Sequence, residues 1–188
     1  MIALLASQNR NKLEELRAAL PGWEIEPLVA DDWPPEDGET YEENARLKAR
    51  FGRSLAGPAD WVLGEDSGIE CAALDGAPGL HSARWAPSGD QADALLERLA
   101  GEGDRRARMV TALVAFSPAG EELHGAGILD GSIAPAKRGE TGFGYDPIFI
   151  PDGYEQTVAE LGEAWKNEHS HRARAAQALV AAIAKRPR

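Results

Sequence analysis

Trp61-Val62-Leu63-Gly64-Glu65-Asp66-Ser67-Gly68 begins as an apolar run and breaks, within one residue, into two adjacent acids between glycines. Trp61–Leu63 reads as a buried strand that ends at Gly64, and Ile69–Leu74 as a second extended piece closed by Asp75-Gly76. Toward the N-terminus, Ile2–Ser7 is a first strand. Asn9–Leu20 is a helix with Leu13, Leu16 and Leu20 on one face, stopped by Pro21-Gly22. Trp23–Leu28 is a short strand. Thr40-Tyr41-Glu42-Glu43 has the form of a capping box and predicts a helix from Tyr41 to Ala56. Toward the C-terminus, Asp90–Ala100 is helical, and Arg106–Phe116 and Glu121–Leu129 form two long strands joined by Ser117-Pro118-Ala119-Gly120. Lys137–Asp146 is a Gly-rich loop and Ile148–Ile150 a short strand. A last helix occupies most of Glu163–Lys185. Strands and helices interleave, which predicts an α/β fold with a mixed sheet.

The chain has 188 residues, enough for one domain or one domain with two lobes. No apolar run approaches the roughly 20 residues needed to span a bilayer. The N-terminal Met1–Ala6 lacks the basic start of a signal peptide, so the expected location is the cytoplasm. Cys71 is the only cysteine, which excludes an intrachain disulfide and a cysteine zinc cluster; it is expected to be a small buried hydrophobe. A net charge of −11 argues against a partner that is a nucleic acid polymer, which needs a basic face. It does not argue against a free nucleotide, because a local cluster of Lys and Arg can hold a triphosphate.

Five segments carry chemistry. Ser7-Gln8-Asn9-Arg10-Asn11-Lys12 lies between the first strand and the first helix, where backbone N–H groups and the helix dipole favour an anion. It reads either as a phosphate-binding turn or as a polar turn with Asn9 as N-cap. Glu65-Asp66 is either a divalent-cation site or an acidic turn. Two neighbouring carboxylates repel, and a cation such as Mg²⁺ would hold both. Glu36, Asp37 and Glu39 offer a further metal ligand, or a solvated acidic loop. Gly139–Pro147 combines three glycines with Phe143 and Tyr145, either as a stacking face for a flat base or as a tight connection with both rings in the core. Lys166–Arg172 is a basic corner in an acidic protein, or a solvated helix face.

In this order the segments resemble the inosine triphosphate pyrophosphatase family over nearly the whole chain. The resemblance rests on Ser7–Lys12, Glu43–Ala49, Glu65–Ile69, Gly76–Arg84, Gly142–Phe149 and Ser170-His171-Arg172. Phe143-Gly144-Tyr145-Asp146-Pro147 and Ser170-His171-Arg172 are the most specific pieces. The resemblance implies an elongated mixed sheet flanked by helices, two lobes with a central cleft, a homodimer, and Mg²⁺. It implies hydrolysis of non-standard purine nucleoside triphosphates to the monophosphate and pyrophosphate. By position, Ser7, Gln8, Asn9, Arg10, Asn11, Lys12 and Lys48 are expected at the triphosphate. Asp66 is the expected catalytic acid, with Ser67 beside the substrate. Asp66, Glu36 and Glu65 are the expected metal ligands. Phe143, Gly144, Tyr145, Asp146, Lys166, His171 and Arg172 are expected at the base. Many family members have two aspartates where this chain has Glu65-Asp66, and a tyrosine is common where it has Trp85.

The expected reaction is attack of water on the α-phosphorus, with Asp66 orienting it or holding the metal ion, and Lys12 offsetting charge on the leaving pyrophosphate. Two other readings have different consequences. A pyrophosphatase for modified pyrimidine or methylated nucleotides would show a different substrate panel. A nucleotide-binding regulatory module would bind inosine triphosphate without hydrolysing it.

Overall fold

The computed structural model describes residues 1–86 and 89–186. In chain order the elements are β1 (Ile2–Ala6), α1 (Arg10–Ala19), β2 (Glu24–Pro27), α2 (Tyr41–Leu55), β3 (Trp61–Cys71), α3 (Gln91–Arg98), β4 (Arg106–Phe116), β5 (Glu122–Ile133), β6 (Phe149–Pro151), α4 (Val158–His169) and α5 (His171–Ala184). Two short 3₁₀ turns, Ala72–Leu74 and Gly79–Arg84, lie between β3 and α3. The strands form one six-stranded sheet in the order β2-β1-β3-β4-β5-β6. β1 runs parallel to β2 and β3, whereas β5 and β6 are antiparallel, so the sheet is mixed and the fold is α/β. None of the described helices is long and apolar enough to cross a membrane.

The chain divides into two compact units. The first comprises Met1–Asp66, Thr111–Gly127 and His171–Arg188; the second comprises Ser67–Val110 and Ile128–Ser170. In the first unit, strand periodicity sorts the side chains onto two faces. Ala3, Leu5, Trp61, Leu63, Leu113 and Ala115 pack against Leu13 and Leu16 of α1 and Ala175 and Leu179 of α5. The alternate positions Ala112 and Val114 pack against Ala45 and Ala49 of α2. Thus α1 and α5 cover one face and α2 the other. The second unit has its own core, in which Ile69, Cys71, Leu95, Leu99, Met109, Leu129, Ile148 and Phe149 meet. Cys71 is free and buried there, and burial pushes its thiol up to about 11.

Three readings of the sequence differ from the structure. β3 does not end at Gly64, where its pairing with β1 stops, but runs unbroken to Cys71, with β4 as its neighbour on the other side. The last helix is two helices. Ser170, in extended conformation (φ −63°, ψ 162°), separates α4 from α5, and Gly162 (φ 84°) kinks α4. α4 also begins earlier than read, at a capping box formed by Thr157 and Glu160. The capping box expected at Thr40 and Glu43 is present at the start of α2; such caps stabilise a helix by about 1 kcal/mol.

Candidate active site

The β1–α1 turn lies where strand connections diverge. From β1, α1 leads to β2 on one side; from β2, α2 returns across the opposite face to β3 on the other side. In parallel α/β sheets, ligands bind at the carboxyl ends of strands at such a switch point. The register Ala6↔Gly64 sets the next residues of the two strands side by side, Ser7-Gln8 after β1 and Glu65-Asp66 in β3. Asn9 is the N-cap of α1, and its Oδ1 accepts from the N–H of Asn11 (3.0 Å) and Lys12 (3.4 Å). The Asn9 N–H donates to Ser7 Oγ at 3.2 Å. Gln8, Asn9, Arg10 and Asn11 are exposed, and Lys12 is half-buried. The first turn of α1 holds no acidic residue, so Lys12 sits at the positive end of the helix without a local counter-charge.

Its counter-charge comes from β3. Because the strand continues through the acidic pair, Glu65 and Asp66 leave it on opposite faces. Glu65 shares the face of Trp61 and Leu63, against α1 and α5. It is fully buried (0 % exposed), with Lys12 Nζ 2.7 Å from Oε2, an ion contact rather than an aligned hydrogen bond. Arg172, at the start of α5, donates to the other oxygen, Oε1, from Nε (3.2 Å) and Nη2 (3.1 Å). Arg172 Nη1 also donates to Glu15 of α1. Burial alone would raise the Glu65 carboxyl, but Lys12, Arg172 and Lys48 outweigh it and hold Glu65 far below the ordinary carboxylate range. Burial would lower Arg172, yet Glu65 and Glu15 hold it above its ordinary value. Both partners therefore stay charged.

Asp66 shares the face of Val62 and Gly64, against α2. Lys48 Nζ donates to Asp66 Oδ1 at 2.9 Å and to Glu36 Oε1 at 2.8 Å. Asn44 Nδ2 donates to Asp66 Oδ2 at 3.3 Å. Gly64 is what lets α2 come so near: a Cβ there would lie 2.0 Å from the Ala45 carbonyl oxygen and 2.6 Å from the Ala49 nitrogen. Burial raises the Asp66 carboxyl, Lys48 lowers it and Glu65 raises it, and the result stands above the ordinary value. Burial would lower Lys48, but Asp66, Glu65 and Glu36 hold it above its ordinary value.

The two acids lie in two separate arrangements, each built with the protein's own cations. Glu65 faces Lys12 and Arg172, and Asp66 faces Lys48. Among the described residues no group of three His, Cys, Asp or Glu side chains converges as a ready cage. Glu36 and Asp66 do converge on one positive charge, the Lys48 ammonium. Two hard carboxylate oxygens suit a cation of the Mg²⁺ type, which takes one or two carboxylates and completes its shell with water and phosphate oxygens.

In the second unit the loop before β6 makes a compact cluster. Gly142 (φ 80°) and Gly144 (φ 61°) both adopt left-handed conformations around Phe143. Asp146 Oδ2 accepts from the Phe143 N–H at 2.8 Å and from Lys166 Nζ at 2.5 Å. Lys166 Nζ lies 4.4 Å from the centre of the half-buried Phe143 ring, a cation–π contact. Tyr145 departs from the expected stacking face. It belongs to the core, its hydroxyl donates to the Ser82 carbonyl at 2.8 Å, and burial raises its phenol. Of the two aromatics read as a base platform, only Phe143 is placed to offer one. Ser67 is half-buried at the next position of β3, and His171 is buried at the start of α5.

Two buried polar residues at the site were not singled out from the sequence. Glu15 is a charged residue on the buried side of α1, three positions after Lys12, and Asn44 lies one turn before Lys48. Helical spacing to a recognised lysine was the available signal for both.

A family model described as Ham1 family matches residues 3–182. A dITP/XTP pyrophosphatase of an Exiguobacterium species is 44% identical over 194 aligned residues, covering 97% of each chain. A dITP/XTP pyrophosphatase of Deinococcus radiodurans is 43% identical, covering 95% of this chain and 91% of its own. The solved structure of the Staphylococcus aureus Ham1 protein superposes with a TM-score of 0.84 at 35% identity, covering 98% of both chains. The matched segments include every part of the two clusters described above, and the chain belongs to the Ham1 family.

Proposed function

We propose that the chain is a dITP/XTP pyrophosphatase, hydrolysing deoxyinosine, inosine and xanthosine triphosphates to the monophosphate and pyrophosphate. The names of its relatives support the reaction. The observation that carries the reading is Asp66, a buried carboxylate held on both oxygens at the end of the sheet where the β1–α1 turn lies. Its raised basicity suits it to accept a proton from an attacking water.

In this reading Ser7–Lys12 and Lys48 hold the triphosphate, and water attacks the α-phosphorus. Asp66 orients that water and takes its proton. Lys12, held in place by Glu65, offsets the charge that gathers on the departing pyrophosphate. Mg²⁺ is the proposed cofactor, with Glu36 and Asp66 as its ligands. When bound it would supply a Lewis acid to the phosphate oxygens. Glu65, on the opposite face of β3 and held by Lys12 and Arg172, is not part of this proposed set.

Phe143 supplies the stacking face for the base, with Asp146 and Lys166 fixing it. Lys166, beside Phe143, is a donor-only group; it suits the 6-oxo acceptor of hypoxanthine and xanthine and would be left facing the 6-amino donor of adenine. A buried group left unpaired costs roughly 1–3 kcal/mol. The cytoplasmic homodimer expected from the sequence belongs to the same reading. Light scattering at twice the 20.1 kDa chain mass would support the dimer.

The experiment is a panel of nucleoside triphosphates assayed for pyrophosphate with and without Mg²⁺. Pyrophosphate from inosine and xanthosine triphosphates, dependent on Mg²⁺, is the expected result. Orthophosphate as the product, or turnover confined to modified pyrimidine nucleotides, would overturn it.

A further inference from the structure

The acidic loop that carries Glu36 is fastened to the first turn of α2 by three consecutive backbone groups. The Gly38 N–H donates to Asn44 Oδ1 at 2.9 Å, and the N–H groups of Glu39 (2.7 Å) and Thr40 (3.2 Å) both donate to Glu43 Oε2. Asn44 is 2 % exposed, and the other end of its amide donates to Asp66 Oδ2 at 3.3 Å. The orientation of that amide is fixed by chemistry. A backbone N–H needs an acceptor, so the carbonyl end must face Gly38 and the NH₂ end must face Asp66.

Gly38 is part of the same device. A Cβ at this position would lie 2.8 Å from Asn44 Oδ1 and 2.8 Å from Glu43 Cβ, so the loop passes α2 where no side chain fits. One helical turn further on, Lys48 makes a second bridge between the same two places, Glu36 and Asp66. Asn44 and Lys48 are an i, i+4 pair on one face of α2. The helix thus clips the loop of Glu36 to the carboxylate of β3 through two side chains.

The geometry points to Asn44 as a positioning residue for the reaction: it sets the plane of the Asp66 carboxylate and the distance of the Glu36 loop from it. Lys48 is free to leave this arrangement for a phosphate, because Asn44 keeps loop and strand in register when it does. This role rests on the reading of Asp66 and Glu36 as the reacting and metal-holding carboxylates.

The test uses the full chain with three substitutions and two readouts. Asn44→Ala removes both bonds, Asn44→Asp keeps the acceptor for Gly38 but removes the donor to Asp66, and Gly38→Ala pushes the loop away from the other side. Residue-resolved amide exchange should accelerate at Gly38 by about tenfold in Asn44→Ala and Gly38→Ala, with Asn44→Asp remaining protected. All three should lower kcat by about 10- to 100-fold, and raise the Mg²⁺ needed for half-maximal rate by several-fold, with nucleotide KM changed by less than about threefold. A folded Asn44→Ala protein with kcat within about twofold of the parent, or with unchanged exchange at Gly38, would overturn the role. If Asn44→Ala does not fold, Asn44→Asp decides by kcat alone and Gly38→Ala by kcat and by exchange at Gly38. A parent protein that releases no pyrophosphate would defeat the functional reading, while exchange at Gly38 would still decide whether the clip exists.

Discussion

Glu65 and Asp66 are neighbours in one strand and point to opposite faces of the sheet, each toward a lysine from a different helix: Lys12 of α1 for Glu65, Lys48 of α2 for Asp66. The adjacency that suggested a shared metal ion in the sequence is thus a division of labour across the sheet. One acid holds Lys12 in place at the first turn of α1. The other is left more basic and is held beside Glu36.

That division predicts a stability difference. Glu65→Gln leaves buried Arg172 and Lys12 without their shared partner and should destabilise the fold by about 3–5 kcal/mol, measured by urea denaturation. The Glu65 carboxyl is held far below its ordinary value of 4.5, so its contribution is fully present above that pH and is lost as pH falls through the folded-state value. The difference between parent and Glu65→Gln should be flat from pH 7 to about 5 and shrink in stronger acid. A difference that grows on acidification would contradict the assignment.

The two aromatics of the Gly-rich loop should separate cleanly. Tyr145→Phe removes the bond to the Ser82 carbonyl and should cost about 1–2 kcal/mol of stability, with base preference unchanged. Phe143→Ala should raise KM for inosine triphosphate about tenfold or more, with a small effect on stability, since loss of a stacking face costs about 1–3 kcal/mol. Steady-state kinetics beside thermal melts would distinguish them. A base-preference change in Tyr145→Phe would contradict the core placement.

Selectivity against adenine should be visible in kcat/KM. The donor argument predicts that inosine triphosphate exceeds ATP by at least about tenfold, the equivalent of one mismatched buried group. Equal turnover of the two in a direct competition assay would remove that argument.

Cys71 should be inert in the native state. Burial in the second core and a thiol pushed up to about 11 leave little thiolate at neutral pH. Labelling with a thiol-specific chromophore at pH 8 should proceed at the rate of unfolding and become immediate in denaturant. Immediate labelling of the folded protein would place Cys71 at the surface.

The α/β alternation, the capping box at Thr40 and the helix capped by Asn9 were legible because apolar periodicity and caps are local signals. β3 was cut short in the reading because Gly64, Ser67 and Gly68 are locally poor strand formers. Pairing with β1 at Gly64, and with β4 on the other side, overrides that preference. The error had a consequence: only in a continuous strand do Glu65 and Asp66 part company. The local pattern left open whether Tyr145 stacks or packs, since its partner Ser82 is 63 residues away. Asn44 and Glu15 were missed because a buried polar residue on a helix announces itself only through its distant partner. The resemblance to a known family nominated the candidate residues, but only the continuity of β3 explains why each acid meets the cation it does.

The most direct test is the product of inosine triphosphate hydrolysis by the parent protein and by Asp66→Asn, measured as pyrophosphate release in Mg²⁺. The account predicts one pyrophosphate per monophosphate from the parent. It also predicts a folded Asp66→Asn protein slower by about 10²- to 10⁴-fold, the usual worth of a positioned general base. Near-parental turnover in Asp66→Asn, or tight binding of inosine triphosphate by the parent without hydrolysis, would contradict it.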